Sequence, residues 1–223
     1  MIKIAPSILS ADISQLASEV EKIEDVADWL HWDIMDGHFV DNLTFGPDAV
    51  ANLRKKSNLF FDVHLMITNP DKFIDKFIDA GADLITFHAE VTDDLMLNIQ
   101  KIKDRGVKAG VSINPPTPLD KIYPVLKEID VALVMTVNPG FSGQGFINDV
   151  LPKIEQLNKI ITQKKLNLDL EVDGGINLET GAEVVKRGAN VLVAGSFVYG
   201  AQDPVEAIKS LKNRNRSSYI SKV

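Results

Sequence analysis

Two aspartates, Asp33 and Asp173, stand 140 positions apart, each at the end of a strand-like run with other metal-ligating residue types beside it. Asp33 lies in His31-Trp32-Asp33-Ile34-Met35-Asp36-Gly37, and Asp173 in Asp169-Leu170-Glu171-Val172-Asp173-Gly174-Gly175. Between them His64 occupies Phe60-Phe61-Asp62-Val63-His64-Leu65-Met66. Side chains two apart on a strand point the same way, so His31 and Asp33 share a face. If the three runs belong to one closed sheet, His31, Asp33, His64 and Asp173 can meet around one divalent ion. Imidazole and carboxylate ligands suit zinc, iron(II), manganese or cobalt, and the sequence does not separate them. With an acid/base on each side of a substrate, such a site suits moving a proton from one face of a carbon to the other. One buried His beside one Asp is as readily a satisfied core pair. His64 and Asp173, at the ends of two other strands, shift the balance to a metal centre.

The elements that must position these residues alternate along the whole chain. Strands are predicted over 3–9, 29–35, 59–65, 84–88, 108–113, 131–135, 168–173 and 191–194. Amphipathic helical spacing separates them, as in Leu16, Val20 and Ile23, or Leu151, Ile154, Leu157 and Ile161. Asn69 and Asn177 stand where helix caps belong. Segments around Gly81, Gly106 and Gly188 share one grammar: a helix ends, Gly takes the cap, and a strand follows. Eight such units predict a (β/α)8 TIM barrel, with a doubly wound open sheet as the alternative. The barrel is favoured because no Gly-x-Gly-x-x-Gly follows the first strand and because the polar candidates end many strands rather than one pair. No linker or composition shift interrupts 1–223, which is expected to be one domain with a polar, solvated tail from about 212.

The 223 residues carry a formal net charge of −7 and contain no cysteine. The acidic balance argues against nucleic acid as the main partner, and no apolar run is long enough for a membrane span. Without cysteine there is no disulfide framework and no thiolate ligand. A cytoplasmic protein acting on a small molecule is expected, and self-association is left open.

Glycine-rich segments follow the last three strands: Gly140-Phe141-Ser142-Gly143, Gly174-Gly175 and Gly195-Ser196. Together, at strands six to eight of a barrel, they predict a phosphate cradle made of backbone N–H groups, since none carries Lys or Arg. Met35, Met66 and Met135 each fall at or just after a strand end, where they either fill the core or roof the reacting atoms. His38 is expected to be a plain loop residue, and His88 a structural one.

Ala5-Pro6-Ser7-Ile8-Leu9, the runs around Asp33, His64 and Asp173, and Met135-Thr136-Val137-Asn138-Pro139-Gly140-Phe141 resemble the ribulose-phosphate 3-epimerase family. The likeness spans 3 to about 211. It implies a (β/α)8 barrel interconverting D-ribulose 5-phosphate and D-xylulose 5-phosphate, with one divalent metal, zinc foremost, on His31, Asp33, His64 and Asp173. It also implies substrate contacts at Ser7, His64, 140–143, 173–175 and Gly195-Ser196. The expected mechanism removes the C3 proton to give a 2,3-enediolate and returns one to the opposite face, using Asp33 and Asp173. Asp41, Pro116 and Ser142 depart from the family's usual residues without removing a ligand or an acid/base. An epimerase acting on D-allulose 6-phosphate is the nearest alternative, and a non-catalytic phosphosugar-binding barrel the next. No Lys ends a predicted strand, which disfavours a Schiff-base lyase.

Overall fold

The computed structural model describes residues 2–220. The eight parallel strands are β1 (Lys3–Pro6), β2 (Trp29–Met35), β3 (Phe60–Met66), β4 (Leu84–His88), β5 (Lys108–Ile113), β6 (Val131–Met135), β7 (Asp169–Asp173) and β8 (Val191–Ala194). They run in the order β1-β8-β7-β6-β5-β4-β3-β2. A bridge between Ser7 and His31 brings the two ends of the sheet together, giving a nearly closed (β/α)8 barrel.

Helices α1 (Leu16–Ile23), α2 (Pro47–Arg54), α3 (Ile74–Asp79), α4 (Leu95–Asp104), α5 (Leu151–Lys164) and α6 (Leu178–Lys186) occupy the crossovers, and α7 (Ser196–Tyr199) and α8 (Pro204–Ile220) follow β8. The crossover from β5 to β6 has no α-helix; two 3-10 turns, Leu119–Lys121 and Tyr123–Val125, span it. Pro124, inside the second turn, fits the difference, because proline lacks the N–H that a helix interior needs.

Buried parallel strands must hide both faces. On β2 the outward set, Leu30, Trp32 and Ile34, packs beneath the helices in the main core. Trp32 meets Phe61 of β3 at 5.6 Å between ring centroids and Phe45 at 5.5 Å. Inside the barrel an apolar plug of Ala5, Trp29, Leu84, Val131, Val191 and Val193 fills the N-terminal end. Above it the inward positions mix polar groups, His31, Asp33, Asp62, His64 and Glu171 among them, with the apolar Leu133, Met35, Met66 and Met135.

The expected boundaries hold with local exceptions. β1 stops at Pro6 rather than running to Leu9, because Ser7 caps a 3-10 turn by accepting from the Leu9 N–H (3.3 Å). Asn177 caps α6 reciprocally with Thr180, whereas Asn69 makes no side-chain cap. The basic segment expected as a solvated tail continues α8 to Ile220, and Lys212 pairs with Asp28 at 2.8 Å. No helix among the described residues is long and apolar enough to cross a membrane.

Candidate active site

Strand register decides which inward side chains meet. β2 pairs with β3 so that Asp33 lies beside His64, and His31 beside Asp62; β6 pairs with β7 so that Met135 lies beside Asp173. Asp33 Oδ1 stands 3.4 Å from His31 Nε2 and 3.5 Å from His64 Nδ1. Asp173 Oδ2 stands 3.9 Å from each of the same two nitrogens. One ligand atom from each of the four residues lies within 4.8 Å of all the others. The four residues predicted from the sequence therefore converge at the C-terminal mouth of the barrel.

The donor set fits a cation. His31 Nε2 and His64 Nδ1 are buried and have no hydrogen-bond partner. The other nitrogen of His31 is committed: Nδ1–H donates to Asp62 Oδ2 at 2.5 Å, so Nε2 is the nitrogen turned to the two carboxylates, where it offers a lone pair to a cation or carries a proton in its absence. Positive charge belongs at this point: burial opposes a charged His31, but the Asp62 and Asp33 carboxylates outweigh it and raise the ring well above its usual range, and a divalent cation would take the place of that proton. Two imidazole nitrogens and two carboxylates at this spacing are a donor set for zinc or another first-row divalent ion.

Burial and mutual charge separate the two aspartates. Burial raises the Asp33 carboxyl, but the His31 and His64 rings outweigh it and hold Asp33 far below the carboxylate range. Asp173 is pushed up to about 7, by burial first and by the Asp33 charge second. Burial lowers His64 to about 4, with hydrogen bonding to Asp33 in partial opposition. Without a cation, the pair thus divides into one charged carboxylate and one group that readily carries a proton.

A cleft of about 500 Å³, its open mouth included, lies over this cluster. Asp33 and Asp173 form its floor with Met35, Met66 and Met135, while Ser7, Gly140, Phe141, Ser142, Gly143, Gly174, Gly175, Gly195 and Ser196 form its walls. His31 and His64 are completely buried behind the carboxylates. The substrate contact expected of His64 has no exposed ring atom to make it: His64 lies level with Asp33 but is fully buried and absent from the cleft lining. His38 is exposed and bonds only within its own turn, to Asp36. Asp41 and Pro116 are exposed and lie outside the cleft wall.

Loop shape is held by side chains that sequence reasoning did not single out. Gln144 Nε2 donates to the carbonyls of Asn138 (2.6 Å) and Phe141 (2.9 Å). Asn42 Nδ2 donates to the Gly140 carbonyl at 2.7 Å, tying the loop after β2 to the loop after β6. Asp62 and Glu171 were also missed, although alternation places them on the same faces as His64 and Asp173. Ser7 Oγ, expected to touch substrate, donates to Asp33 Oδ2 at 2.5 Å.

A family model described as the Ribulose-phosphate 3 epimerase family matches residues 3–199. Ribulose-phosphate 3-epimerase of Bacillus subtilis is 51% identical over 214 residues, covering 95% of this chain and 99% of that protein. The chloroplastic ribulose-5-phosphate-3-epimerase of Arabidopsis thaliana is 45% identical over 223 residues, covering 99% of this chain and 79% of that protein. Among solved structures, KGPDC from Streptococcus mutans superposes with a TM-score of 0.75 at 15% identity, covering 98% of this chain and 99% of that one. At that identity the structural likeness speaks to the barrel alone; the sequence matches carry the family. The converging aspartates and histidines and the match across all eight strands agree, and the chain belongs to the ribulose-phosphate 3-epimerase family.

Proposed function

We propose that the protein interconverts D-ribulose 5-phosphate and D-xylulose 5-phosphate by moving the C3 proton between two aspartates. The observation that carries this reading is the convergence of Asp33 and Asp173 on the floor of one cleft whose walls are glycine-rich, with a nitrogen of His31 and one of His64 turned to them from behind. Two bases suit an inversion, because a single base would return the proton to the face it left. The phosphate is received by the backbone at 140–143, 174–175 and 195–196 and by the hydroxyls of Ser142 and Ser196. No Lys or Arg lines the cleft, so dipoles rather than full charges do this.

A divalent cation on His31, Asp33, His64 and Asp173, zinc foremost, would supply the positive charge that polarises the sugar carbonyl and acidifies C3. Asp33 keeps Oδ1 toward the histidines, which leaves Oδ2 for the proton. Ser7 Oγ donates to that oxygen while it is charged and, by rotating its hydroxyl, accepts from it once it is protonated. Asp173 turns Oδ2 toward the histidines and so offers Oδ1 to the opposite face of the sugar. Met35, Met66 and Met135 keep water away from the carbon between them. The setting we propose is the cytoplasm, whose pool of free sugar phosphates such a cleft would draw on.

The test is C3 proton exchange and inversion, followed by NMR in deuterated buffer with ribulose 5-phosphate and allulose 6-phosphate offered separately. Asp33→Asn and Asp173→Asn should each slow inversion by about 10²–10⁴-fold, the range for loss of a positioned acid/base. Each variant should retain exchange from at most one epimer. Near-normal inversion by either variant, with metal still bound, removes that residue from its role.

A further inference from the structure

The nitrogen of His64 that faces away from the carboxylates begins a hydrogen-bonded chain leading out of the barrel. His64 Nε2 lies 2.8 Å from His88 Nε2, His88 Nδ1 lies 3.2 Å from Glu90 Oε2, and both rings are completely buried. We propose that His88 and Glu90 are positioning residues that hold His64 in the tautomer protonated at Nε2, leaving the Nδ1 lone pair for a metal. The proposal rests on the reading of His31, Asp33, His64 and Asp173 as a metal site.

Each hydrogen bond in the chain has only one workable direction. Glu90 follows β4 on a 3-10 turn, Ala89–Val91. Its Oε1 accepts from the Asn114 backbone N–H at 2.8 Å and from the Thr117 hydroxyl. That loop is pinned in turn by Lys153 of α5, whose ammonium donates to the carbonyls of Asn114 (3.1 Å), Pro115 (2.7 Å) and Thr117 (2.5 Å). A carboxylate so placed accepts and does not donate, so the proton between it and His88 resides on His88 Nδ1. The neutral His88 ring then presents a lone pair at Nε2. Two ring nitrogens 2.8 Å apart share one proton, which must belong to His64 Nε2. His64 Nδ1 is left bare, 3.5 Å from Asp33 Oδ1 and 3.9 Å from Asp173 Oδ2.

The chain opposes what the carboxylates alone would select. Without His88, two carboxylates facing His64 Nδ1 favour a proton on that nitrogen, and a metal would have to displace it. The His88 ring cannot easily turn away. It meets His64 edge to edge and nearly coplanar, with centroids 4.9 Å apart and planes at 25°, and the Phe39 ring packs against it at 4.6 Å between centroids. His64 is thus served by a neutral ring and a distant carboxylate, whereas His31 is served directly by Asp62.

The experiment reads tautomer and affinity separately. Long-range ¹H–¹⁵N spectra of histidine-labelled, metal-free protein should show His64 protonated at Nε2. In His88→Leu the proton should move to Nδ1, and the zinc Kd, measured by competition with a chromophoric chelator, should rise about 10–100-fold. His88→Gln, whose amide oxygen can accept from His64 Nε2–H, should restore both readouts most of the way. Glu90→Gln should weaken zinc in the same direction, and keeps the test alive if His88→Leu does not fold. An unchanged tautomer and an unchanged Kd in folded His88→Leu or Glu90→Gln would overturn the proposal. Wild-type protein that binds no zinc would overturn the metal site itself, while the spectra would still decide the tautomer.

Discussion

Replacing Gly174 by alanine would place a methyl group inside the side chain of Val137. An ideal Cβ at Gly174 falls 2.4 Å from Val137 Cγ2, 2.7 Å from Cγ1 and 2.9 Å from Cβ. Val137 is buried, so it has little room to retreat. Gly174 also has φ +116, a region that residues with side chains rarely adopt. Holding a side-chain-bearing residue in a sparsely populated backbone region costs about 1–3 kcal/mol. Overpacking a filled site costs about the same again. The sum, about 4 kcal/mol, should lower the melting temperature by about 8–16 °C in a chain of this length. Gly174 forms part of the proposed phosphate wall, so KM for the sugar phosphate should also rise, by about tenfold for the loss of one contact worth about 1.4 kcal/mol. The assay is a thermal melt paired with steady-state kinetics on Gly174→Ala, Val137→Ala and the double variant. Val137→Ala deletes both Cγ atoms, so the double variant should recover about 1–2 kcal/mol relative to additivity. Wild-type melting of Gly174→Ala, or strict additivity in the double variant, would refute the steric reasoning.

Two further outcomes are expected. Stripping the metal with a chelator should lower the melting temperature by about 5–11 °C, since a ligand held at 100 times its Kd stabilises by about 2.7 kcal/mol. Identical melts before and after stripping would count against the four-residue site. The second concerns acid. Burial alone would raise Glu90, yet His88 and the donors at Asn114 and Thr117 bring it down from 4.5 to about 2. A depressed carboxyl stabilises the fold above its unfolded pKa, and that stability is lost as pH falls from 4.5 towards 2. The full difference is worth about 3 kcal/mol, or about 2 kcal/mol after screening of the partly exposed side chain. In Glu90→Gln the stability-versus-pH curve should therefore be flatter over that window, as read by urea unfolding at each pH. An unchanged slope would show that Glu90 gains nothing from its partners.

The metal-facing residues were legible because alternation on a strand is local. His31 and Asp33 share a face in any extended chain, and the apolar set of Leu30, Trp32 and Ile34 shows which face turns to the helices. The same rule already contained Asp62 and Glu171, two positions before His64 and Asp173, but it does not say what an inward carboxyl will touch. The glycine-rich loops were legible by composition, and their common wall followed from barrel topology. The missing helix between β5 and β6 has its local signal in Pro124.

What the chain alone determined is the set of groups and the faces they occupy: two aspartates, two histidines, three methionines and three glycine-rich turns, each on a strand or just after one. Periodicity and turn chemistry act over a few residues, so they survive without knowledge of the fold. Only the tertiary structure decided the pairings. Register between neighbouring strands set Asp62 behind His31 and Asp33 beside His64, and closure of the barrel brought Ser7 to Asp33. It also drew His64, His88, Glu90 and the loop after β5 into one hydrogen-bonded chain. These contacts join residues far apart in sequence, and only the curvature of a closed sheet, which no local pattern encodes, sets the distances between them.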